Sequence, residues 1–229
     1  MFQAGLLANH WLFDDAGFDL SRTIEPGMPC YPGTPEPEFR LLSSIEKDGF
    51  AEQQFTLSSH TGTHVDLPSH ILPAGRSLDD CSLDRFIGKG FAIDLRDSVS
   101  GAITIEALQV FQDQLQKCEF LLLCSGWSKF WGTAEYYTGY PVLSSAAALW
   151  LGGFQLKGIG VDMISVDASD SGDFPVHRTL LEKGILLIEN LADLSPLFGT
   201  SFTFFAFPLK IAHAEASPLR AVAIVDDKP

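Results

Sequence analysis

Short hydrophobic runs alternate along the chain with polar segments that contain Gly and Pro. The strongest runs, FLLLC and GILLI, are far too short to span a membrane and are typical of buried strands. Residues 25–37 are dense in Pro and Gly and are predicted to form an irregular loop. The pattern predicts eight strands, at residues 39–44, 55–59, 90–94, 120–124, 158–161, 184–189, 202–208 and 221–225.

Two longer segments have a helical pattern, residues 104–116 and residues 144–152. Each begins with a residue type that caps helices, Thr104 in the first and Ser144 in the second. Residues 177–183 form a shorter candidate helix. Strands interleaved with fewer helices predict an α/β protein, and a regular doubly wound sheet fits this order poorly.

The composition indicates the size of the domain and argues against two classes of partner. A chain of 229 residues with 46% hydrophobic residues can form one sizeable core, and no repeat or linker divides it. Residues 1–229 are therefore predicted to be a single domain. The 29 acidic and 15 basic residues give a net charge of −14, which argues against nucleic acid or an anionic membrane as a partner.

The cysteines and the N-terminal segment bear on the compartment. None of the four cysteines forms a C-x-x-C pair, which favours reduced thiols in a cytoplasmic protein. Residues 1–15 lack a basic region and end in two aspartates, so they do not resemble a signal peptide. A cytoplasmic location is predicted.

The segment SHTGTHVDLPSH, residues 59–70, contains three of the six histidines and one aspartate. Imidazole and carboxylate groups are the ligands that Zn²⁺, Mn²⁺ and similar ions accept. Histidines on a surface loop, or hydrogen-bonded in the core, would be the simpler interpretation of any one of them. Clustering favours a metal site, because unpaired buried imidazoles and carboxylates are costly.

The spacing within this segment also restricts its conformation. A fully extended strand would separate His60 and His64 by about 13 Å, too far for both to reach one ion. A helix would bring them together, but Thr-Gly-Thr is a poor helical sequence and Asp66 would leave that face. The segment is therefore predicted to curl, with Gly62 and Pro68 shaping the loop.

The motif HTGTHVDLPSH resembles the signature of the cyclase family of metal-dependent hydrolases, which includes bacterial kynurenine formamidases and isatin hydrolases. Other segments resemble the family in the same order along most of the chain. They are CYPGTPEPEF, CSGWSKFWGT, GIGVDMISVD, HRTLLEKGILLIENLADL, PLKI and SPLRAVAIV. The resemblance implies a mixed β/β/α layered, swivelling-domain-like fold that commonly forms homodimers.

The resemblance also implies a site with one or two divalent ions, Zn²⁺ or Mn²⁺. His60, His64 and Asp66 would bind a first ion, and Asp66 would bridge to a second ion bound by His177 and Glu189. His177 and Glu189 stand twelve residues apart, in HRTLLEKGILLIENLADL. His70 would be the general acid/base rather than a ligand.

Several neighbouring residues are predicted to lie outside the ligand set. His10 and His213 match no ligand position of the family and are interpreted as structural or surface residues. Glu215 stands where many relatives have an acidic residue followed by Gly, and that Gly is replaced here by Ala216.

Two acidic residues and a group of aromatic residues are interpreted as structural. Asp162 and Asp167 are predicted to cap loops near the site. The aromatic residues are predicted to belong to the core, with the wall of a pocket as the alternative. They are Trp127, Phe130, Trp131, Tyr136 and Tyr137.

The function implied is hydrolysis of an amide-type C–N bond in a small molecule. The ions would acidify a water molecule and polarise the carbonyl group, and His70 would transfer the proton. An N-formyl aryl amine such as N-formylkynurenine is the first substrate hypothesis. A cyclic amide or lactone, as in isatin, is the alternative, and a non-catalytic metal- or ligand-binding protein is the hypothesis from another class.

Overall fold

The computed structural model describes residues 16–98 and 101–226. The segment considered as a signal peptide, and His10 within it, lie outside the described residues. In the described part of the chain, no helix has the length and apolar character needed to cross a membrane.

The described residues form twelve strands and five α-helices. The strands are β1 (Gly17–Asp19), β2 (Glu38–Ser43), β3 (Glu52–Thr56), β4 (His64–Asp66), β5 (Ile87–Asp94), β6 (Ala102–Ile103), β7 (Phe120–Cys124), β8 (Val142–Leu143), β9 (Gly158–Val161), β10 (Leu186–Glu189), β11 (Phe202–Pro208) and β12 (Ala216–Val225). The α-helices are α1 (Ile45–Asp48), α2 (Ile105–Gln109), α3 (Gln112–Leu115), α4 (Ser145–Leu151) and α5 (Pro175–Glu182).

Seven strands form a closed, barrel-like sheet. Going round the sheet the order is β12, β11, β5, β7, β9, β10 and β4, and β4 pairs again with β12. β5, β7, β9 and β10 are parallel neighbours, whereas β4 is antiparallel to both of its neighbours. β1 pairs with residues 222–224 of β12, beyond the residues of β12 that pair with β4. The short strand β4 therefore closes the sheet.

Alternate residues of the strands enter two different hydrophobic clusters, because side chains alternate between the two faces of a sheet. In β7, Phe120 and Leu122 belong to a cluster with residues of β11 and β12. Leu121 and Leu123 belong to a second cluster, which includes buried residues of α4 and α5 such as Leu151. The helices thus cover one face of the sheet, and the other face packs within the closed sheet.

The predicted strands at residues 120–124, 158–161 and 202–208 are confirmed to the residue. The strand at residues 221–225 is correct but longer, since β12 begins at Ala216. The strand predicted at residues 55–59 is shifted: β3 ends at Thr56, and the chain then turns towards the 59–70 segment.

The helix predicted over residues 104–116 is wrong as one element, because it divides into α2 and α3. Phe111 leaves the helical conformation, with ψ of 15°, and its ring packs 5.9 Å from that of Phe91. Packing against the sheet here outweighs helical periodicity. Thr104 makes no side-chain capping bond, whereas Ser144 accepts one from the Ala147 N–H, as predicted.

The mixed α/β class is confirmed by this architecture. The swivelling-domain-like layering and the extent of one domain over residues 1–229 stay predictions.

Candidate metal centre

The segment 59–70 curls as predicted. Gly62 adopts the left-handed conformation with φ of 64°, which a glycine tolerates without a Cβ clash. β4 then places His64 and Asp66 on the same side of the strand, and Pro68 begins a short 3₁₀ helix that ends at His70. The ring centroid of His60 lies 4.9 Å from that of His64 and 4.4 Å from that of His70.

The more distant predicted ligands come from two other elements. Glu189 ends β10 and is directly opposite His64 in the antiparallel pair of β10 with β4. His177 lies in the first turn of α5, and its Nε2 is 3.4 Å from Glu189 Oε1 and 3.5 Å from Asp66 Oδ2. The structure therefore brings together all six residues that were predicted to form the site.

Within this cluster, two groups of donor atoms lie close enough to share an ion. One consists of His60, His64 and Asp66, and the other of Asp66, His70 and His177; in each group the atoms lie within 4.8 Å of one another. Asp66 belongs to both groups, as a bridging ligand would. The second group includes His70, so the geometry also allows this residue to act as a ligand.

Several buried polar atoms of the cluster lack hydrogen-bond partners in the described part of the chain, as is expected where a cation binds. His64 and Asp66 are only 2% and 1% exposed. His64 Nε2 and both carboxylate oxygens of Asp66 have no hydrogen-bond partner among the described residues, although His60 Nδ1 approaches one of them to 2.9 Å. Leaving such atoms buried and unpaired costs about 1–3 kcal/mol each, and more for a charged group. Divalent ions held by Asp66 and the histidines would satisfy all three.

Comparison with known proteins gives the family. Residues 18–168 match the family described as "Putative cyclase". The chain belongs to this cyclase family. A kynurenine formamidase of Salinibacter ruber is 32% identical to this chain over 89% of the chain and 95% of that protein.

Two solved structures resemble the structure of this chain. The structure of an isatin hydrolase bound to the product analogue thioisatinate shares the fold, with a TM-score of 0.84, 24% identity and coverage of 92% of both chains. The structure of a potential metal-dependent hydrolase with cyclase activity has a TM-score of 0.76 and 26% identity, and it covers 93% of this chain and 98% of that one. The protein is a hydrolase of the cyclase family.

The charges of this cyclase-family site are strongly coupled. Burial opposes protonation of His64, but the carboxylates of Asp66 and Glu189 outweigh it and raise the pKa of His64 to about 9. Burial opposes ionisation of Asp66, yet the neighbouring histidines hold the pKa of this carboxyl well below its usual value. Protons on the imidazoles thus stabilise the carboxylates when no metal ion does so.

His70 differs from the other histidines of the cluster. Burial lowers the pKa of His70, and the nearby His60 and His177 add to this effect. Its imidazole is therefore neutral near pH 7 and can accept a proton. The acid/base role that the resemblance implies stays a prediction.

A cavity of about 150 Å³ opens onto the cluster. Besides the six predicted residues, its walls come from the 25–37 loop, the segment after β9, the start of α5 and the end of β10. The additional lining residues are Pro29, Tyr31, Thr34, Ile164, Ser165, Phe174 and Asn190. Phe174 and Asn190 have positive φ angles of 47° and 59°, a conformation that non-glycine residues seldom adopt.

The aromatic residues singled out in the sequence do not line this cavity. Tyr136 belongs to the core, as predicted, and the other four are partly buried and pack against it. Tyr136 is fully buried, and its hydroxyl donates a hydrogen bond to Asn190 Oδ1 at 2.8 Å. The aromatic walls of the cavity are instead Tyr31 and Phe174, which sequence reasoning missed. The position of Tyr31 in CYPG, a segment that resembles the family, was the available signal.

His213, Glu215 and Ala216 were predicted to lie outside the ligand set, and they differ in their distance from the cluster. His213 is exposed and pairs with Asp79. Ala216 is buried at the start of β12, opposite Asp66, and has no positive φ, so the replacement of Gly leaves a regular strand. Glu215 Oε1 lies 3.5 Å from His60 Nε2, at the edge of the cluster.

Proposed function

We propose that this hydrolase cleaves an amide-type C–N bond in an N-formyl aryl amine, with N-formylkynurenine as the first example. The observation that carries this proposal is the cluster of imidazoles and unpaired carboxylate oxygens that opens onto a small cavity. The similarity to a kynurenine formamidase supports the choice of substrate.

The proposed metal ligands form two sets that share one residue. His60, His64 and Asp66 would hold a first divalent ion, and Asp66, His177 and Glu189 would hold a second. We propose Zn²⁺ or Mn²⁺, because a set this rich in nitrogen suits neither Mg²⁺ nor Ca²⁺. When bound, such an ion supplies Lewis acidity, which polarises a carbonyl oxygen and makes a water molecule more acidic.

The other steps of the reaction are assigned to side chains of the chain itself. Neutral His70 accepts the proton of the attacking water and returns it to the leaving amine. The rings of Tyr31 and Phe174 line the cavity and exclude water from one side of it. A cavity of about 150 Å³ can hold a single benzene ring, which suits the aryl group of the substrate.

A second candidate substrate class is a neutral cyclic amide or lactone, as in isatin. In the part of the chain that the structure describes, neither Lys nor Arg lines the cavity. The carboxylate of an amino-acid substrate would therefore meet no basic side chain there, and a neutral ring would need none. The fold shared with an isatin hydrolase is consistent with this class.

The experiment that tests the proposal is a hydrolysis assay of the purified protein, loaded with Zn²⁺ or Mn²⁺ and compared with its chelated form. The panel contains N-formylkynurenine, formanilide, isatin and a simple aryl lactone. We expect metal-dependent turnover of the N-formyl amines, and faster turnover of isatin would favour the second class. No turnover of any of the four by the metal-loaded protein would contradict the proposal.

We also propose that the protein is a homodimer or a higher homo-oligomer. β2 and β3 pair only with each other among the described residues. With α1 between them they expose large apolar side chains, including Leu41 at 65%, Ile45 at 68% and Phe55 at 58%. Contiguous exposed apolar surface of this kind marks interfaces. A second copy of the chain is the proposed occupant.

Light scattering coupled to size-exclusion chromatography tests the oligomeric state. The wild-type protein should have at least twice the mass of the chain. Phe55→Glu should shift it towards the monomer, because it places a charge on this surface. A monomeric wild-type protein would exclude the interface.

A cytoplasmic location and a single domain over residues 1–229 belong to the same proposal.

A further inference from the structure

The ring nitrogen of His177 that faces away from the ligand cluster is held by Asp167. His177 Nδ1 lies 2.7 Å from Asp167 Oδ2, and both residues are buried. The same carboxylate accepts the backbone N–H groups of Val176 and His177, at 3.0 and 2.9 Å. Asp167 therefore contacts both the first turn of α5 and the imidazole that projects from it.

The chemistry of this contact decides which nitrogen of His177 carries a proton. An ionised carboxylate can only accept hydrogen bonds, so Nδ1 must be the donor. Each oxygen of Asp167 already accepts a backbone N–H group, Oδ1 from Val176 and Oδ2 from His177, an arrangement that suits an ionised carboxylate. With the proton on Nδ1, the lone pair of Nε2 faces Asp66 and Glu189.

We propose that Asp167 is a positioning residue, which holds His177 as the Nδ1–H tautomer and so presents Nε2 as a metal ligand. This inference rests on the proposed function, since it requires an ion between His177, Asp66 and Glu189. Asp167 acts through His177 and does not touch the ion. The loop cap expected at Asp167 is thereby given a second role in the site.

The other two histidine ligands are oriented differently. His64 Nδ1 lies 2.9 Å from the carbonyl oxygen of Gly62, which a side-chain substitution cannot remove. His60 Nε2 is 3.5 Å from Glu215 Oε1, which already accepts a hydrogen bond from the Ser59 hydroxyl. Among the described residues, Asp167 is the only carboxylate outside the ligand set that makes a hydrogen bond to one of these imidazoles.

The chain offers a matched control for Asp167. Asp162 is also a buried aspartate after β9 and accepts the backbone N–H groups of Ser125 and Gly126, at 2.9 and 2.8 Å. Its described hydrogen bonds involve no imidazole. Asp162→Asn therefore measures the effect on stability of weakening a buried aspartate that holds a loop, without a change at His177.

The test compares Asp167→Asn and Asp162→Asn by competition between the folded protein and a chelator for Zn²⁺. Asp167→Asn removes the negative charge beside Nδ1 whichever way the amide lies, so His177 becomes a weaker ligand. An amide nitrogen at the position of Oδ2 would in addition donate to Nδ1 and favour the Nε2–H tautomer, which blocks the ligand lone pair. The Zn²⁺ affinity should fall about 10–100-fold, as for other outer partners of metal-bound histidines. Asp162→Asn should lower the melting temperature but leave the affinity within about twofold of wild type.

A second measurement needs no variant. Long-range ¹H–¹⁵N NMR spectra of the Zn²⁺-loaded wild-type protein show which ring nitrogen of His177 carries a proton, and we expect Nδ1. An unchanged affinity in Asp167→Asn would overturn the inference and leave the proposed function standing. A proton on Nε2 would overturn the inference together with the ligand role of His177, and would leave the proposed hydrolysis standing. A wild-type protein that binds no Zn²⁺ would overturn both.

Discussion

The ligand cluster has two halves that are held in place by different structures. His60, His64 and Asp66 lie in one curled segment, whose shape depends on the turn at Gly62 and on the three residues of β4. His177 and Glu189 come from α5 and β10, and they reach the first half only because β10 pairs with β4.

This difference predicts which substitutions disturb each half of the cluster. The first half depends on local backbone geometry, whereas the second depends on closure of the sheet and on the start of α5. Asp66 is the one donor that belongs to both, and Asn190 links them. Asn190 Nδ2 donates to the Gly62 carbonyl, and its backbone carbonyl accepts the Thr63 hydroxyl. Substitutions at these points separate the two halves experimentally.

The largest effect is expected for Asp66→Asn. The amide removes a negative charge that both proposed ion positions share, so metal binding in both halves should be lost or greatly weakened. Elemental analysis after metal-supplemented expression measures this, with His70→Ala as the control that should keep its metal. A full complement of metal in Asp66→Asn together with an empty site in His70→Ala would reverse the roles assigned to these two residues.

His70→Ala should lower kcat by about 10²–10⁴-fold at wild-type metal content, because a positioned acid/base contributes about this much. A substrate with a nitrophenolate leaving group, which needs no protonation, should partly restore the rate. Both substrates are compared at matched metal occupancy. If kcat on an amide stayed at the wild-type value, another group would have to transfer the proton, and if metal were lost, His70 would be a ligand.

Glu189→Gln should affect the second half more than the first, although Glu189 Oε2 also lies 3.6 Å from His64 Nε2. Loss of an outer partner of a ligand lowers metal affinity about 10–100-fold, and loss of a ligand should cost at least as much. We therefore expect weaker binding of the ion at His177, while the ion at His60 and His64 remains bound. Isothermal titration with Zn²⁺ would then show one strong site where wild type shows two. Equal weakening of both sites would mean that the halves do not bind separate ions.

A smaller effect is expected from pH on the metal-free protein. The folded-state pKa of His64 is about 9, against an ordinary value of 6.5, so protonation of His64 stabilises the folded state. This stabilisation is fully present below about pH 6.5 and is lost as the pH rises to about 9. The melting temperature of chelated protein should fall across this window. With Zn²⁺ bound the fall should be absent, because the ion requires the neutral imidazole.

The smallest effect is expected for Tyr136→Phe, which weakens the link between the halves. It removes the hydroxyl that donates to Asn190 Oδ1 and leaves that oxygen buried. The loss should be about 1–3 kcal/mol, which lowers the melting temperature by several degrees. Differential scanning calorimetry measures the change. An unaltered melting temperature would show that Asn190 is held by its other bonds.

Part of the site could be predicted from local sequence because its residues act within one segment. The spacing of His60 and His64 argued against an extended strand between them, and Thr-Gly-Thr argued against a helix. The turn at Gly62 is the consequence that the structure shows. Ser144 likewise caps its helix through a contact three residues away. Residues 104–116 did not follow local rules: the helix is interrupted at Phe111, whose ring packs on Phe91 of the sheet, and Thr104 makes no capping bond.

The central strands and the curl of residues 59–70 could be predicted from the sequence, since both depend on side-chain periodicity and backbone limits over a few positions. Family resemblance added His177 and Glu189 as members of the site. The closure of the sheet by β4 between β10 and β12, and the positions of Tyr31, Phe174 and Asp167 around the cluster, became visible in the folded chain. The pairings of β4 join residues more than a hundred positions apart, and no local pattern encodes a register between strands so distant in the chain. Asp167 lies only ten positions before His177, but in a separate segment whose course towards α5 no periodic pattern predicts.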